Sequence, residues 1–144
     1  VSGVKWETLN TSIFKNKPMP VHIVRYATSK DGINWSAIEK PSIDLANDEE
    51  FGFGRPWVWK DGSTYRMWYS IRSKNSPYRM GYAESTNGID WVRKDDEVGI
   101  KVSENGWDSE MVCYGAVLKV KEKTFMFYNG NNHGATGFGL AILK

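Results

Sequence analysis

The residues best suited to chemistry stand at or near the starts of predicted strands. Arg55 carries a planar guanidinium, which can grip a carboxylate, a phosphate or the hydroxyls of a sugar. Asp108 and Glu110 place two carboxyl groups near the start of a strand predicted over 110–120. Such a carboxyl can transfer a proton or simply pair with an arginine. Both roles stay open for Glu110, and Arg55 is the arginine with which it would pair. For Asp108, an exposed loop charge is the simpler interpretation.

Three further side chains are candidates for binding rather than for proton transfer. Trp57 and Tyr128 lie in predicted strands, where most aromatic residues belong to the core. An aromatic residue at the mouth of a cleft can instead stack on the face of a sugar ring. His133 lies in the polar, glycine-rich segment 130–137, and a loop histidine without a specific role is its simplest interpretation.

Neither a metal nor a cofactor is expected. His22 and His133 are far apart in the sequence and Cys113 is the only cysteine, so a zinc site has little support. The glycines of segment 52–54 precede no predicted helix, so they do not form a phosphate-binding loop. The interpretation favoured for Cys113 is a small buried hydrophobe in a strand.

Composition narrows the class of protein. The chain has 144 residues, the size of one ordinary domain, and 14% of them are aromatic, so it can build a core. Its net charge of +2 comes from interspersed acids and bases, which gives no case for nucleic-acid binding. We expect no membrane span and no signal peptide. The first residue is Val rather than Met, which is typical of a trimmed or partial product, and the compartment stays open.

The elements that position the candidate residues are short strands. The middle of the chain contains four of them, predicted over 55–59, 64–70, 79–84 and 89–92. Asp61-Gly62 and Asn87-Gly88 form tight turns between them, because Gly accepts a positive φ and Asx residues tolerate it. Four antiparallel strands joined by short connections make one blade of a β-propeller.

This blade repeats in both directions along the chain. Segment 26–35 matches 82–91 in its Tyr, Ala, Ser, Gly, Ile and Trp residues, and Phe125-Met126-Phe127-Tyr128 echoes segment 66–69. The repeats cover about 4–40, 54–94 and 109–144, with three, four and three strands. The sequence therefore predicts an all-β chain, 1–144, forming one partial β-propeller domain of about two and a half four-stranded antiparallel blades. Residues 15–20, which include two prolines, are expected to form a loop.

Several motifs together resemble the five-bladed β-propeller glycosidase superfamily, which includes invertase-like, arabinanase-like and mannoside-phosphorylase-like enzymes. Turn motif, spacing and aromatic residues agree over most of the chain, so the resemblance is specific for the fold. It is weak for chemistry. The motifs are Gly54-Arg55-Pro56, Tyr65-Arg66-Met67-Trp68-Tyr69, segment 78–91 and Gly106-Trp107-Asp108-Ser109-Glu110.

The repeated turn also resembles the Asp-box of sialidase-type propellers, Ser-x-Asp-Gly-x-x-Trp. The resemblance implies a structural role. The side chains of Asp31 and Asn87 are expected to cap their own turns, and Trp35 and Trp91 are expected to pack between sheets.

The resemblance also implies a set of catalytic positions. Members of the superfamily use three carboxylates around a central funnel, one of them as general acid. Glu110 matches the position of that acid. Many members have Arg-Asp-Pro at the start of the central strand, whereas this chain has Gly54-Arg55-Pro56, so Arg55 stands where the Asp is expected. The remaining carboxylate belongs to a strand expected before Val1, and at most one of the three positions is filled in this chain.

Two functions from different classes follow. The leading hypothesis is a carbohydrate-active protein of the propeller glycosidase type, with Glu110 as catalytic acid and with Arg55, Trp57, Asp108, Tyr128 and His133 as substrate-binding residues. The alternative is a non-catalytic module that binds sugar or serves assembly. Whether the chain is an enzyme stays open, and carbohydrate is the expected partner in both cases, with neither nucleic acid nor membrane.

The strand count also predicts an assembly. Three, four and three strands leave open sheet faces and unpaired edges, which propellers avoid by closing the ring. We therefore expect a two-fold homodimer that closes the propeller. The alternative is that the chain is a piece of a longer single-chain propeller.

Overall fold

The computed structural model of the chain describes residues 2–143. Nearly all of the regular structure is β, which confirms the all-β prediction, and its curled sheets are those of a partial β-propeller. A single 3-10 turn (Asp95–Glu97) and one helical turn (Asn131–Gly134) are the helical elements of the described part. The strands are β1 (Ser2–Leu9), β2 (Lys17–Ile23), β3 (Ala27–Thr28), β4 (Ser36–Ala37), β5 (Glu50–Asp61), β6 (Thr64–Ser73), β7 (Arg79–Ser85), β8 (Val92–Arg93), β9 (Cys113–Val120), β10 (Lys123–Asn129) and β11 (Phe138–Ile142).

The strands form three sheets. The largest has the order β1-β2-β5-β6-β7-β8, the second has the order β11-β10-β9, and β3 pairs with β4 in a small third sheet. Every pairing is antiparallel except that of β2 with β5, which meet in parallel where His22 faces Gly52. The central blade, β5 to β8, is the predicted four-stranded meander.

Strand β6 explains how the blades pack, because both of its faces are buried. Successive side chains of a strand point to opposite faces. Met67, Tyr69 and Ile71 therefore enter one core cluster with Val24, Ile43, Phe53 and Ala83. Trp68 points the other way, into a second cluster with Tyr82, Val112, Val117 and Met126. The central blade is thus packed between the first repeat and the third.

A buried ion-pair network fixes the start of β5. Arg93 donates to both carboxylate oxygens of Glu50 at 2.8 Å and also pairs with Asp95, which in turn accepts from the hydroxyl of Tyr69. Burial alone would lower the pKa of Arg93, but its hydrogen bonds to Glu50 and Asp95 outweigh burial and hold that pKa above the ordinary value. Glu50, the first residue of β5, is 8% exposed, so the pair ties the start of β5 to the outer strand β8.

The repeated turns have the same hydrogen bonds. Asp31 Oδ1 accepts from the backbone N–H groups of Ile33 and Asn34, at 2.9 and 2.8 Å. Asn87 Oδ1 does the same for Ile89 and Asp90, both at 2.9 Å. The predicted capping role of Asp31 and Asn87 is confirmed, and these hydrogen bonds hold the pKa of the Asp31 carboxyl well below its usual range.

The two tryptophans of these turns differ. Trp91 is half-buried against the first core cluster. Trp35 is 64% exposed, so the prediction that it packs between sheets is wrong. Residues 30–40 are all exposed, because within residues 2–143 no second sheet lies over the two-residue strands β3 and β4.

The predicted loop over 15–20 is also wrong, since β2 begins at Lys17 and contains two prolines. Pro18 and Pro20 are two residues apart, so their nitrogens point to the same edge of the strand. Proline is tolerated at an edge because no ladder hydrogen bond is needed there. Strand β2 meets β5 only at His22, beyond both prolines.

The prediction that Cys113 is a small buried hydrophobe in a strand is confirmed. Its side chain is fully buried, and burial raises the pKa of its thiol to about 11. Strand β9 begins at this residue rather than at Glu110, as the sequence predicted. Among the described residues, no helix has the length and apolar character needed to cross a membrane.

Candidate functional site

An open pocket of about 480 Å³ lies where β5 and β9 begin and where β6 ends. It brings together residues from strands β1 and β2, from the central blade with the segment before β7, and from strand β9. Two of its lining residues are arginines, one is a histidine and two are tyrosines. The lining consists of Gly3, His22, Phe53, Gly54, Arg55, Arg72, Tyr78 and Tyr114, and we call it the arginine–tyrosine pocket.

Two bulges shape this pocket. In β5 the register shifts between Gly54 and Trp57, and in the β9–β10 pair it shifts beside Tyr114. Arg55 and Tyr114 occupy equivalent places in the two strands, and both have a left-handed backbone, with φ of +45° and +57°. A non-glycine residue rarely adopts this conformation, and bulges re-aim side chains beside binding sites. Both bulged residues line the pocket.

An aromatic cluster forms one wall. The ring of Tyr78 lies 5.7 Å from that of Tyr114, and His133 meets both, edge-on to Tyr78 at 5.1 Å and stacked on Tyr114 at 5.9 Å. His133 also has a left-handed backbone, with φ of +58°. Burial and the neighbouring Tyr78 raise the pKa of Tyr114 to about 12, so its phenol is a neutral hydrogen-bonding group.

The opposite wall carries a buried cation. Arg72 is 7% exposed, and its Nη1 donates to the carbonyl of Pro20 and to Nδ1 of His22, both at 3.0 Å. Its guanidinium lies 4.4 Å from the ring centre of Phe51. Burial and the charge of Arg72 lower the pKa of His22. The pocket therefore combines fixed hydrogen-bond donors with aromatic faces.

Glu110 lies outside the lining of this pocket, on the segment that leads into β9. Its backbone is firmly held, since its N–H donates to Oδ1 of Asn131 at 2.8 Å and its carbonyl accepts from Arg79 at 2.7 Å. Its side chain is exposed. Within residues 2–143 neither Glu110 nor Arg55 forms an ion pair, so the hypothesised pair between them is not formed.

The other predicted binding residues lie elsewhere. Trp57 donates from Nε1 to the carbonyl of Val117 at 2.6 Å, so it bridges β5 and β9. Asp108 is 6% exposed rather than a free loop charge, and its Oδ2 accepts from the hydroxyl of Tyr128 at 2.9 Å. Tyr128 stacks on Trp107. Of the predicted binding residues, Arg55 lines the pocket and His133 packs against its two tyrosines, whereas Trp57, Asp108 and Tyr128 lie outside the lining.

Sequence reasoning missed four lining residues that carry chemistry: His22, Arg72, Tyr78 and Tyr114. For Arg72 a signal existed. It follows Trp68 and Ser70 at intervals of two residues, so extending β6 beyond Ser70 places it on the face toward β9. No sequence pattern predicts the bulge at Tyr114, because that bulge depends on how β9 pairs with β10.

A second cavity, of about 640 Å³, separates the central blade from the third repeat. Trp59 and Trp68 stack at 6.5 Å in its floor, and Arg66 at its rim pairs with Asp61 and Glu84. Within residues 2–143 its arginine is paired with carboxylates, unlike the two arginines of the arginine–tyrosine pocket. In the part of the chain that is described, no cluster of His, Cys, Asp and Glu could hold a metal ion.

Comparison with known proteins finds relatives that are longer than this chain. It is 38% identical over 123 residues to Uncharacterized protein Rv1502 of Mycobacterium tuberculosis (strain ATCC 25618 / H37Rv), a match that covers 85% of this chain and 40% of that protein. It is 35% identical over 89 residues to the 1,2-beta-oligomannan phosphorylase of Thermoanaerobacter sp. (strain X514), covering 60% of this chain and 29% of that enzyme. The chain thus spans less than half the length of these curated relatives. No protein-family model matches it.

The fold has close counterparts among solved structures. A GH32 beta-fructofuranosidase of Bombyx mori, solved in complex with sucrose, superposes with a TM-score of 0.62. The match has 17% sequence identity and covers 95% of this chain and 29% of that enzyme. At this identity the likeness concerns the fold alone.

Proposed function

Because the chain has the fold of the five-bladed β-propeller glycosidases, as its motifs indicated, we propose that it is a carbohydrate-active protein and that the arginine–tyrosine pocket is its sugar site. One observation carries the proposal: two β-bulges, one in β5 and one in β9, place Arg55 and Tyr114 in the lining of the same open pocket. Backbone strain of this kind is retained where it serves a site.

The chemistry of the pocket suits a saccharide. The faces of Tyr78 and Tyr114 can pack against the C–H groups of a sugar ring, while guanidinium, imidazole and phenol groups serve its hydroxyls. Two proteins similar to this chain have names or titles that mention a carbohydrate. One is a 1,2-beta-oligomannan phosphorylase, and the other was solved in complex with sucrose. They support carbohydrate as the ligand class proposed for this chain.

For catalysis, Glu110 is the proposed general acid. Its exposed carboxyl lies three residues before β9 on a backbone that Asn131 and Arg79 hold in place. A glycosidase also needs an ionised partner carboxylate, and none lines the pocket in the described part of the chain. This chain alone therefore has an incomplete catalytic set, which favours the alternative of a non-catalytic sugar-binding or assembly module.

A panel of aryl glycosides, assayed with the parent protein and with Glu110→Gln, separates the enzyme from the module. Turnover that disappears in the variant supports catalysis by Glu110. Absence of turnover, together with calorimetric binding of a sugar that Tyr114→Ala weakens, supports the module. Glu104→Gln, at another exposed carboxyl, serves as the matched control. A protein that neither binds nor turns over any sugar of the panel contradicts both.

The proposal includes a homodimer that closes the propeller. Strand β11 is the edge of its sheet, and alternate residues Phe138, Leu140 and Ile142 are 72%, 52% and 50% exposed. At the other edge of the described structure, β1 exposes Trp6 to 70%. Exposed edges and apolar faces favour association, and two copies can cover both.

Light scattering tests this part. A dimer has twice the mass of the 16.4 kDa chain, and Leu140→Lys should return it to the monomer by placing a charge on the apolar face. Thr136→Lys, in an exposed loop, adds the same charge elsewhere and should leave the mass unchanged. A soluble monomer at micromolar concentration contradicts the dimer and favours the alternative, a piece of a longer single-chain propeller.

A further inference from the structure

The arginine–tyrosine pocket buries a positive charge for which the described residues supply no counter-ion. Arg72 is 7% exposed, yet within residues 2–143 it forms no ion pair with any carboxylate. Buried charges are paired as a rule, because an isolated charge away from water is costly. This arginine is therefore an exception that calls for an explanation.

The neutral groups around Arg72 do not supply one. Both of its hydrogen bonds start from Nη1 and end on neutral acceptors, the carbonyl of Pro20 and the imidazole of His22. The ring of Phe51 adds a cation–π contact at 4.4 Å. Its buried Nε finds no hydrogen-bond partner among the described residues. The guanidinium is thus oriented by its neighbours, but its charge is not neutralised.

The other polar groups of the pocket supply hydrogen-bond donors and a second positive charge. A guanidinium has only donors, so Nδ1 of His22 must accept and its proton must sit on Nε2, which makes the ring a neutral donor. Arg55 lines the same pocket and likewise forms no ion pair in the described part of the chain. Among residues 2–143, none that lines the pocket is a carboxylate. Two guanidiniums thus share one pocket with no negative charge between them.

We propose that the sugar bound here is acidic: a uronic acid unit whose carboxylate is held by Arg72 and Arg55 while its ring lies against Tyr78 and Tyr114. This inference rests on the proposed function and names its substrate class. A planar carboxylate matches the fork of a guanidinium with two parallel hydrogen bonds. The ligand would supply the negative charge that the pocket lacks, and a neutral sugar would leave Arg72 uncompensated.

Calorimetry on the whole chain tests this with matched ligands. The probes are the methyl glycosides of galacturonic, glucuronic and mannuronic acid, each beside its neutral parent sugar and its uronate methyl ester, with inorganic phosphate as a separate probe. Because a hydrogen bond to a charged group is worth about 1.5 kcal/mol or more, at least one acid should bind about tenfold or more tightly than its neutral parent and its ester. That preference should shrink as salt is raised.

Variants assign the preference to the pocket. Arg72→Gln and Arg55→Gln should each weaken binding of the acid far more than binding of its neutral parent, so that most of the preference for the acid is lost. Arg55→Gln changes an exposed side chain, so it keeps the test valid if Arg72→Gln fails to fold. Arg66→Gln, an arginine of the second cavity, is the matched control and should retain the preference.

The other outcomes overturn the inference in distinguishable ways. Equal binding of acids and neutral sugars contradicts an acidic ligand but leaves the sugar site intact. Binding of inorganic phosphate that depends on Arg72, with no preference among sugars, assigns the pocket to a free anion instead. Binding of none of the sugars contradicts the acidic ligand and the proposed function together.

Discussion

Two residues with a left-handed backbone, Arg55 and Tyr114, line the pocket, and a third, His133, packs against its tyrosines. Arg55, Tyr114 and His133 have φ between +45° and +58°, and none of them is a glycine. Each such residue costs the fold about 1 kcal/mol or more. Their grouping around a pocket is the residue-scale argument for a site, because strain without use is readily removed by substitution with glycine.

Arg55→Gly should therefore stabilise the protein while weakening its function. Glycine accepts the positive φ, so we expect the free energy of unfolding to rise by about 1 kcal/mol, and the urea midpoint reports it. Sugar affinity should fall, because a donor of the pocket is lost. Such opposition of stability and function is typical of binding sites.

Lys121→Gly is the matched control for that substitution. Lys121 has φ of +55° in the exposed turn between β9 and β10, away from the pocket. It should gain similar stability with unchanged sugar affinity. An Arg55→Gly protein that is less stable than the parent, or that binds sugar as well, would show that the backbone of Arg55 carries no strain in favour of a site.

The raised pKa of Tyr128 leads us to expect a loss of folding stability at alkaline pH. Burial and the hydrogen bond to Asp108 raise its pKa to about 12 in the folded protein, against about 10 in an unfolded chain. A raised folded pKa contributes stability below about pH 10 that is lost as the pH approaches about 12. Tyr128→Phe should be less stable by about 1 kcal/mol at neutral pH, and this gap should narrow between about pH 10 and 12. Urea midpoints that differ by the same amount throughout would contradict this role.

Site residues were predictable from the sequence only where residue type alone marks them. Arg55 departs from the motif of the glycosidase superfamily, and His133 lies in a glycine-rich segment. Both features mark these residues in the sequence as candidates for binding. Tyr114 did not, because its side chain direction depends on a bulge created by pairing with β10. Asp108 was assigned to an exposed loop because its partner Tyr128 is 20 residues away in sequence.

At the scale of elements, alternation and turns predicted most strands. The central meander follows from Asp61-Gly62 and from the two-residue period of β6, whose two faces enter different clusters. Strand ends that depend on tertiary contacts were not predictable from the sequence. Strand β5 begins at Glu50 rather than Arg55 because β6 continues to Ser73 and pairs with it there. The prolines of β2 are tolerated only because of where β5 meets that strand.

Among the contacts between strands, we expect the ion pairs of Arg93 to be those whose loss lowers the free energy of unfolding most. Arg93→Met leaves the carboxylate of Glu50, which is 8% exposed, without its partner. Breaking a buried pair in this way costs on the order of 3 kcal/mol or more. Denaturant unfolding measures the loss.

Arg66→Met provides the comparison for that variant. Its side chain and that of its partner Asp61 are 36% and 39% exposed, so we expect a loss of at most about 1 kcal/mol. Equal losses in the two variants would mean that the Glu50–Arg93 pair does not hold β5 to β8.

For the whole molecule, repetition in the sequence predicted a partial propeller, and the fold confirms it. That residues 1–144 form a single domain, and that two copies close the ring, stay predictions. The blade count followed from short turn motifs, which are local. Whether an apolar face is covered depends on neighbouring elements that local sequence patterns do not encode. Trp35, which is 64% exposed, is an example of an aromatic residue left uncovered.

The central claim is that sugar binds in the arginine–tyrosine pocket, and an amide chemical-shift titration tests it most directly. A ¹⁵N-labelled chain titrated with the tightest-binding methyl glycoside should shift the amides of His22, Gly54, Arg55 and Tyr114. The amides of Trp59 and Trp68, in the second cavity between the blades, should stay in place. Shifts confined to that second cavity, or spread evenly over the surface, would contradict the account.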